Sequence, residues 1–440
     1  MNKLMEKLEA FLDKYLMPVA DVINRNVVIS GIKDGMMSTL PPTMIASIAL
    51  ILSNFPYLDK LSPPLHKMFQ TFFAPINSAT LGIIALYALV GTAYYYSKGR
   101  KIDKLYGIMT AVASFLIVTP FQKSTEVTVG GEKIATVVTN VIDTGAIGAT
   151  GIFPALIVAI ISISIYAWFE HKNITIKMPA SVPPNVVKPF VAIIPMGVTV
   201  MIFMGIRLLF QATPYGTLAG CINTFITTPF LNLTNNIWVF MFLIFIAQIL
   251  WFFGLHGTNL IITPIWQPAA LVAMAMNLEA YNAGLALPFL MTAAFRVYTN
   301  HCKLSEIMAL VLLGKSKRSK AISKTIFLPA LFNIHEPFVF GLPAVMNPTI
   351  FIPWIISEPL QAGLAYLLMK LTGAIPIYDV PWTTPPILKQ LISTNFNPWA
   401  IVITLSTFAL GFIIWVPFIK MLDNQFLREE AEQEKNAEQS

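Results

Sequence analysis

The sequence predicts an all-α, polytopic membrane protein, and three observations carry that prediction. Of its 440 residues, 56% are hydrophobic and only 12% are charged, where a soluble domain carries about 25% charged residues. Several apolar runs approach or exceed the roughly 20 residues that cross a bilayer as a helix, and they lack the short alternation of barrel strands. The basic residues fall in short loops, which marks a cytoplasmic face. The net charge of +7 is therefore a topology signal and not a nucleic-acid footprint. Two cysteines, Cys221 and Cys302, stand far apart, so neither a disulfide framework nor a zinc site is indicated.

Residues 1–27 read as a cytoplasmic amphipathic segment. Leu4, Leu8, Phe11, Leu12 and Tyr15 recur at helical spacing with Lys3, Lys7 and Lys14 between them, as in a helix lying on the membrane surface. The same charges argue against a cleavable signal. A first span is expected over residues 28–55, kinked at Pro41-Pro42, then a polar turn over 57–67 and a second span over 69–96. Lys98, Arg100, Lys101 and Lys104 form a basic loop before a third span, 105–121. Period-two alternation around Gly130-Gly131 predicts a small β-hairpin.

Further spans are expected at 147–169, 189–210 and 237–255, with a proline-broken polar segment over 213–236. Between Phe190 and Asn300 only Arg207, Glu279 and Arg296 are charged. Pro264, Pro268, Asn277, Asn282, Gly284 and Pro288 interrupt this stretch too often for plain spanning helices, so one re-entrant hairpin is expected here. A second is expected over 329–343, before spans at 350–372 and 398–421. The whole amounts to about ten transmembrane helices with two re-entrant hairpins and amphipathic interfacial helices. Residues 28–236 form an N-terminal half, 237–421 a C-terminal half, and 422–440 a charged cytoplasmic tail. Counted from an inside N-terminus, the basic loops up to the sixth span fall on one side, and Lys315, Lys317, Arg318, Lys320 and Lys324 form a further, strongly basic cytoplasmic loop.

Two polar islands interrupt this apolar sequence. The first is Gly254-Leu-His-Gly-Thr-Asn-Leu260, in which Gly254 and Gly257 flank His256 and let the backbone bend. The second is Asn333-Ile-His-Glu-Pro-Phe-Val-Phe-Gly341. A carboxylate and an imidazole at membrane depth are expensive unless paired or hydrated. Pro337 cannot continue a preceding helix but suits the first turn of a new one. Irregular backbone at that depth is tolerated only where protein or a water-filled cavity surrounds it. Together the islands point to a polar substrate held inside the membrane. No nucleophilic serine elbow, phosphate-binding glycine loop or metal-spaced His/Cys cluster appears, so no metal or cofactor is expected.

The paired motifs Gly254-Leu-His-Gly257 and Asn333-Ile-His-Glu-Pro-Phe-Val-Phe-Gly341 resemble the membrane IIC component of the lactose, cellobiose and chitobiose branch of the bacterial phosphotransferase system. The resemblance covers nearly the whole chain, including Lys33-Asp34-Gly35. It implies a homodimer in the bacterial inner membrane with cytoplasmic termini. It also implies an N-terminal dimerisation half and a C-terminal half that holds a β-linked disaccharide. Transport would be coupled to phosphorylation of the sugar 6-hydroxyl by a separate IIB protein carrying a phosphocysteine. The chain would then be primarily a transporter, the membrane part of a phosphotransferase.

On this resemblance Glu336 is the expected general base and sugar ligand, and His256 its expected partner near the phosphorylated end. Asn333, Asn259, Gly257, Thr258 and His335 are further candidate sugar contacts, although family members often carry Asn where His335 stands. Trp382, in Asp379-Val-Pro-Trp-Thr-Thr384, resembles a sugar-stacking residue. Lys315, Lys317, Arg318 and Lys320 are candidate docking residues for the phosphorylated partner. A proton-coupled sugar carrier, with Glu336 as proton carrier, is the alternative from another class.

Overall fold

The computed structural model describes residues 26–53, 61–129, 132–179, 182–299, 303–334, 336–342 and 346–438. The amphipathic segment expected before residue 26 lies outside these, as do the Gly130-Gly131 turn, His335 and Cys302. The chain is mostly helical and divides into two compact units. One joins residues 75–232 with the described part of 19–46, and the other joins 233–440 with the described part of 47–74.

In the first unit, α1 (Val27–Met37) packs along α4 (Ile84–Arg100). The contact is close because glycines face it. A Cβ on Gly35 would stand 2.6 Å from the Thr92 backbone, and one on Gly91 would stand 2.7 Å from the Gly35 carbonyl. Helices in lipid associate through such small residues, since lipid supplies no hydrophobic drive between them. Between α1 and α4 in the sequence come α2 (Leu40–Ser53) and α3 (Pro63–Ala79), whose residues 47–74 belong to the second unit. The first span thus breaks at Ser38-Thr39, just before Pro41-Pro42, as expected. The second expected span is found as one apolar stretch, Pro63–Arg100, made of α3, a 3₁₀ turn and α4. Its first part, α3, carries no buried residue and begins at Pro63, inside the expected polar turn. A 3₁₀ turn at Leu81–Ile83 separates it from α4.

α5 (Lys104–Val118) is capped by the Asp103 carboxylate, which accepts from the Leu105 amide at 2.9 Å. After it, β1 (Gln122–Val129) and β2 (Glu132–Thr139) pair antiparallel with Val129 opposite Glu132, the hairpin the alternation predicts. Asp143 bonds Lys123 at 3.0 Å and the Gly145 amide at 3.0 Å. Burial raises its carboxyl, but these partners outweigh that and hold it below the usual range. α6 (Ile152–His171) packs on α4 and α5. α7 (Pro184–Gln211) packs on α5 and α6. Arg207 on α7 donates to the Ile117 carbonyl at 2.8 Å, which satisfies a charge in an apolar helix. α8 (Leu218–Thr234) includes a π-turn at Asn223–Thr227.

In the second unit, α9 (Ile237–Phe252) is followed by α10 (Thr258–Asn282), whose first nine residues are π-helical. A loop and a 3₁₀ turn at Ala293–Tyr298 precede α11 (Lys303–Leu313) and α12 (Lys317–Leu331). Then come α13 (Glu336–Gly341), α14 (Phe351–Thr372), the short α15 (Leu388–Ser393) and α16 (Trp399–Glu438). α14 lies between α9 and α16, and α11 packs on both α12 and α16. Among the described residues six helical stretches are long and apolar enough to cross a membrane, with α1–α2 and α3–α4 each counted as one, or up to seven if α8 and α9 form one bent span. The expected tail does not begin a new element at residue 422, because α16 runs on for 40 residues.

Candidate functional site

The two polar islands hang on one apolar core in the second unit. Phe252, at the end of α9, and Phe338, on α13, belong to the same buried cluster with Trp354 and Trp415. Phe338 stacks parallel to Trp354 at 6.4 Å and meets Trp415 edge-on at 6.1 Å. Beyond α13, the Met346 amide donates to the Phe252 carbonyl at 3.0 Å. The segment after Glu336 is therefore bonded to the helix end that leads into His256.

α9 ends because Gly254 adopts φ +79°, which lets the Leu255 amide reach back to the Leu250 carbonyl at 3.0 Å. This closes the helix and turns His256 outward, where it is exposed. The His256 Nδ1 accepts from the Asn259 amide at 3.3 Å, so the ring's donor edge is Nε2. Its ring lies 4.4 Å from that of Trp251, and the Trp251 indole donates to the Thr258 hydroxyl at 3.3 Å. Gly257 is buried, and a Cβ there would stand 1.9 Å from the Ala247 carbonyl. The close approach that this glycine permits is to α9 itself. Thr258 and Asn259 are both half-buried beside it.

In the second island Asn333 holds φ +58°, a left-handed conformation that Asn tolerates well among non-glycine residues. It is 6% exposed. Its side-chain amide donates to the Trp382 carbonyl at 2.6 Å and to the Thr384 carbonyl at 3.1 Å. Asn333 thus ties the break between α12 and α13 to the loop carrying Trp382, whose side chain is 47% exposed. Glu336 opens α13; its side chain lies outside the described residues, as does His335.

A buried polar network beside the islands was not legible as a unit. Gln248 on α9 donates to Glu358 on α14 and accepts from Lys303 on α11 at 3.1 Å. Lys303 also pairs with Glu306 at 3.6 Å and sits 4.1 Å over the Trp354 ring, and the Trp354 indole donates to the Gln248 carbonyl. Arg296 lies within electrostatic reach of Glu358 and Asp379. A small cavity touches Gln248, Thr258, Arg296 and Glu358 together, which joins this network to the His256 island. Each of these charges is visible in sequence as a lone ionisable residue in apolar surroundings, which is the signal that marks such positions.

The candidate docking loop is engaged by the chain's own tail. Asp423 accepts from the Lys315 and Ser316 amides at 2.8 and 3.1 Å, and Glu430 from the Lys317 and Arg318 amides. These carboxylates cap α12, where exposed amides favour negative charge. Lys317 pairs with Glu434 at 2.7 Å and Arg318 with Glu429 at 3.3 Å. The Glu434 carboxylate holds the Lys317 ammonium above its ordinary range. Among the described residues no His/Cys/Asp/Glu group could hold a metal.

A family profile described as "Phosphotransferase system, EIIC" matches residues 33–357. The oligo-beta-mannoside-specific EIIC component of Bacillus subtilis is 34% identical over 435 residues, 96% of each chain. The lactose-specific EIICB component of Staphylococcus epidermidis is 29% identical over 442 residues, covering 97% of this chain and 72% of that one. The crystal structure of the transporter ChbC, the IIC component from the N,N'-diacetylchitobiose-specific phosphotransferase system, superposes with a TM-score of 0.90. It is 32% identical and covers 96% of this chain and 99% of that one. With its two polar islands on one buried aromatic core and this extent of likeness, the chain belongs to the EIIC family of the phosphotransferase system, the membrane permeases that transport sugars.

Proposed function

We propose that this chain carries a β-linked disaccharide of the cellobiose, chitobiose or lactose type across the bacterial inner membrane as a homodimer. Both termini are cytoplasmic, residues 28–236 serve dimerisation, and residues 237–421 hold the sugar. The observation that carries the reading is the seating of His256 and the Asn333-to-Gly341 motif on the shared Phe252–Phe338 core. The relatives named for β-mannosides and diacetylchitobiose support the sugar class.

The sugar lies between the His256 rim and the Trp382 loop. Trp382 stacks on an apolar ring face, and His256, through Nε2, bonds a hydroxyl near the reacting end. Asn333 fixes the Trp382 loop, while Thr258 and Asn259 keep Trp251 and His256 in place. A separate phosphorylated IIB protein supplies the phosphoryl group. The sugar 6-hydroxyl attacks phosphorus as the S–P bond of the IIB phosphocysteine breaks. The hydroxyl proton passes to the Glu336 carboxylate and the thiolate leaves with the bonding pair.

The test uses purified protein in liposomes loaded with a phospho-IIB donor system and given labelled cellobiose, diacetylchitobiose or lactose outside. Sugar 6-phosphate inside, lost in Glu336→Gln with sugar binding retained, is the expected outcome. Unmodified sugar accumulating only under an imposed pH gradient would overturn it in favour of proton coupling.

A further inference from the structure

A second cavity of about 580 Å³ opens in the same unit, lined by no residue of either island. Tyr281, Thr394, Asn395, Asn397 and Trp399 line it, with Leu287, Ile375 and Ile377 between, and no charged side chain takes part. The volume is within the roughly 300–1,000 Å³ of small-molecule sites. Its position follows from helix length. The cavity sits where α14 ends at Gly373 and α16 begins at Trp399, whereas Asp423, 24 residues further along α16 (423 − 399), holds the basic end of α12. At about 1.5 Å per residue that separation matches the roughly 30 Å hydrocarbon core. The cavity therefore faces the side opposite the basic loop, which is the external side if that loop is cytoplasmic.

Its wall is built with unusual backbone. Asn395 and Phe396 both hold positive φ, 52° and 59°, a pairing of non-glycine residues that costs energy and concentrates at ligand clamps. The turn places Asn395 so that its amide donates to the Tyr281 hydroxyl at 2.7 Å. Asn397 caps α16, its side-chain oxygen accepting from the Trp399 amide at 3.0 Å. Among the described residues its amide nitrogen has no partner. Trp399 is 51% exposed beside it. An aromatic face, amides and a phenol with no charge suit a neutral polyhydroxylated ring.

We propose that this cavity is an external capture site for the sugar, which Trp399 stacks against and Asn397 and Tyr281 bond before it reaches the central site. The proposal rests on the sugar-permease reading. The test is initial uptake of labelled cellobiose, diacetylchitobiose and lactose by right-side-out membrane vesicles containing the phosphotransferase partners. Trp399→Leu should raise the KM for external sugar about tenfold, the worth of one good aromatic stacking contact, with maximal rate unchanged. Asn397→Asp keeps the helix cap but loses the amide donor and should also raise KM, while Trp399→Phe should stay near wild type. Equilibrium binding to the detergent-solubilised variants should not change, because the central site is intact. Unchanged KM in both Trp399→Leu and Asn397→Asp would make Trp399 an interfacial anchor and end the proposal. Loss of solubilised binding in step with KM would reduce the residues to a structural role. No uptake of any of the three sugars by wild type would instead sink the permease reading itself.

Discussion

Asn333 offers the sharpest test of how the central site is assembled. Its amide makes two bonds to the Trp382 loop, each worth about 0.5–1.5 kcal/mol net. Asn333→Gly keeps the left-handed backbone and removes both of these bonds. If they hold Trp382 in its sugar-stacking pose, losing about 1–3 kcal/mol weakens sugar affinity about five- to 150-fold, because the loop spends less time in the competent pose. Asn333→Ala removes the same bonds and adds about 1–2 kcal/mol of left-handed strain, so it should be weaker still. The assay is equilibrium sugar binding to detergent-solubilised protein, repeated in a Trp382→Ala background. If Asn333 acts through Trp382, then Asn333→Gly adds almost nothing once Trp382 is gone. Full additivity of the two losses would show that Asn333 touches sugar directly and refute the clamp. Wild-type affinity in Asn333→Gly would refute it outright.

Two further predictions concern charge. Lys303→Met leaves the buried Glu306 without its cation and should lower stability by about 3–5 kcal/mol, read as a fall in the thermal unfolding midpoint. Adding Glu306→Leu should restore part of the loss, and an unshifted midpoint for Lys303→Met would show that the network is not the anchor it resembles. Replacing Lys317, Arg318 and Lys320 with Gln should slow sugar phosphorylation several-fold at limiting phospho-IIB while sugar binding stays intact; an unchanged rate would remove the docking role.

What the sequence made legible was local. The Gly130-Gly131 hairpin, the kink before Pro41, the basic loops and both islands each depend on residues within a few positions. What it hid was set by distant partners. Gln248 stands 110 residues from Glu358 and 55 from Lys303, so three isolated ionisable or polar residues gave no sign of one network. The two glycines around His256 could have served a ligand, but only the fold shows Gly257 pressed on the Ala247 carbonyl. The acidic tail read as a charged cytoplasmic segment, with nothing local to show what its carboxylates pair with. Their partners lie 107 to 117 residues earlier, at the start of α12. The 3₁₀ turn at Leu81–Ile83 contains Gly82 and no proline.

The electrostatic layout of the second unit bears on how a product would leave. Arg296 and Lys303 lie among Glu306, Glu358 and Asp379, so these buried charges largely compensate one another. On the proposed reading the sugar then meets hydroxyl, amide, imidazole and aromatic groups together with one carboxylate, Glu336. A neutral disaccharide suits such a wall. Its 6-phosphate, with about −1.5 to −2 charges at pH 7, does not. On that reading Glu336 would take up the hydroxyl proton during transfer and be neutral at that moment. Once that proton leaves for solvent, a carboxylate faces a phosphate. At an effective dielectric of about 20 and a separation of about 6 Å, their repulsion is about 5 kcal/mol before screening. The residue that activates the hydroxyl would thus also drive release, and Glu336→Gln would lose both steps while keeping affinity for the unmodified sugar.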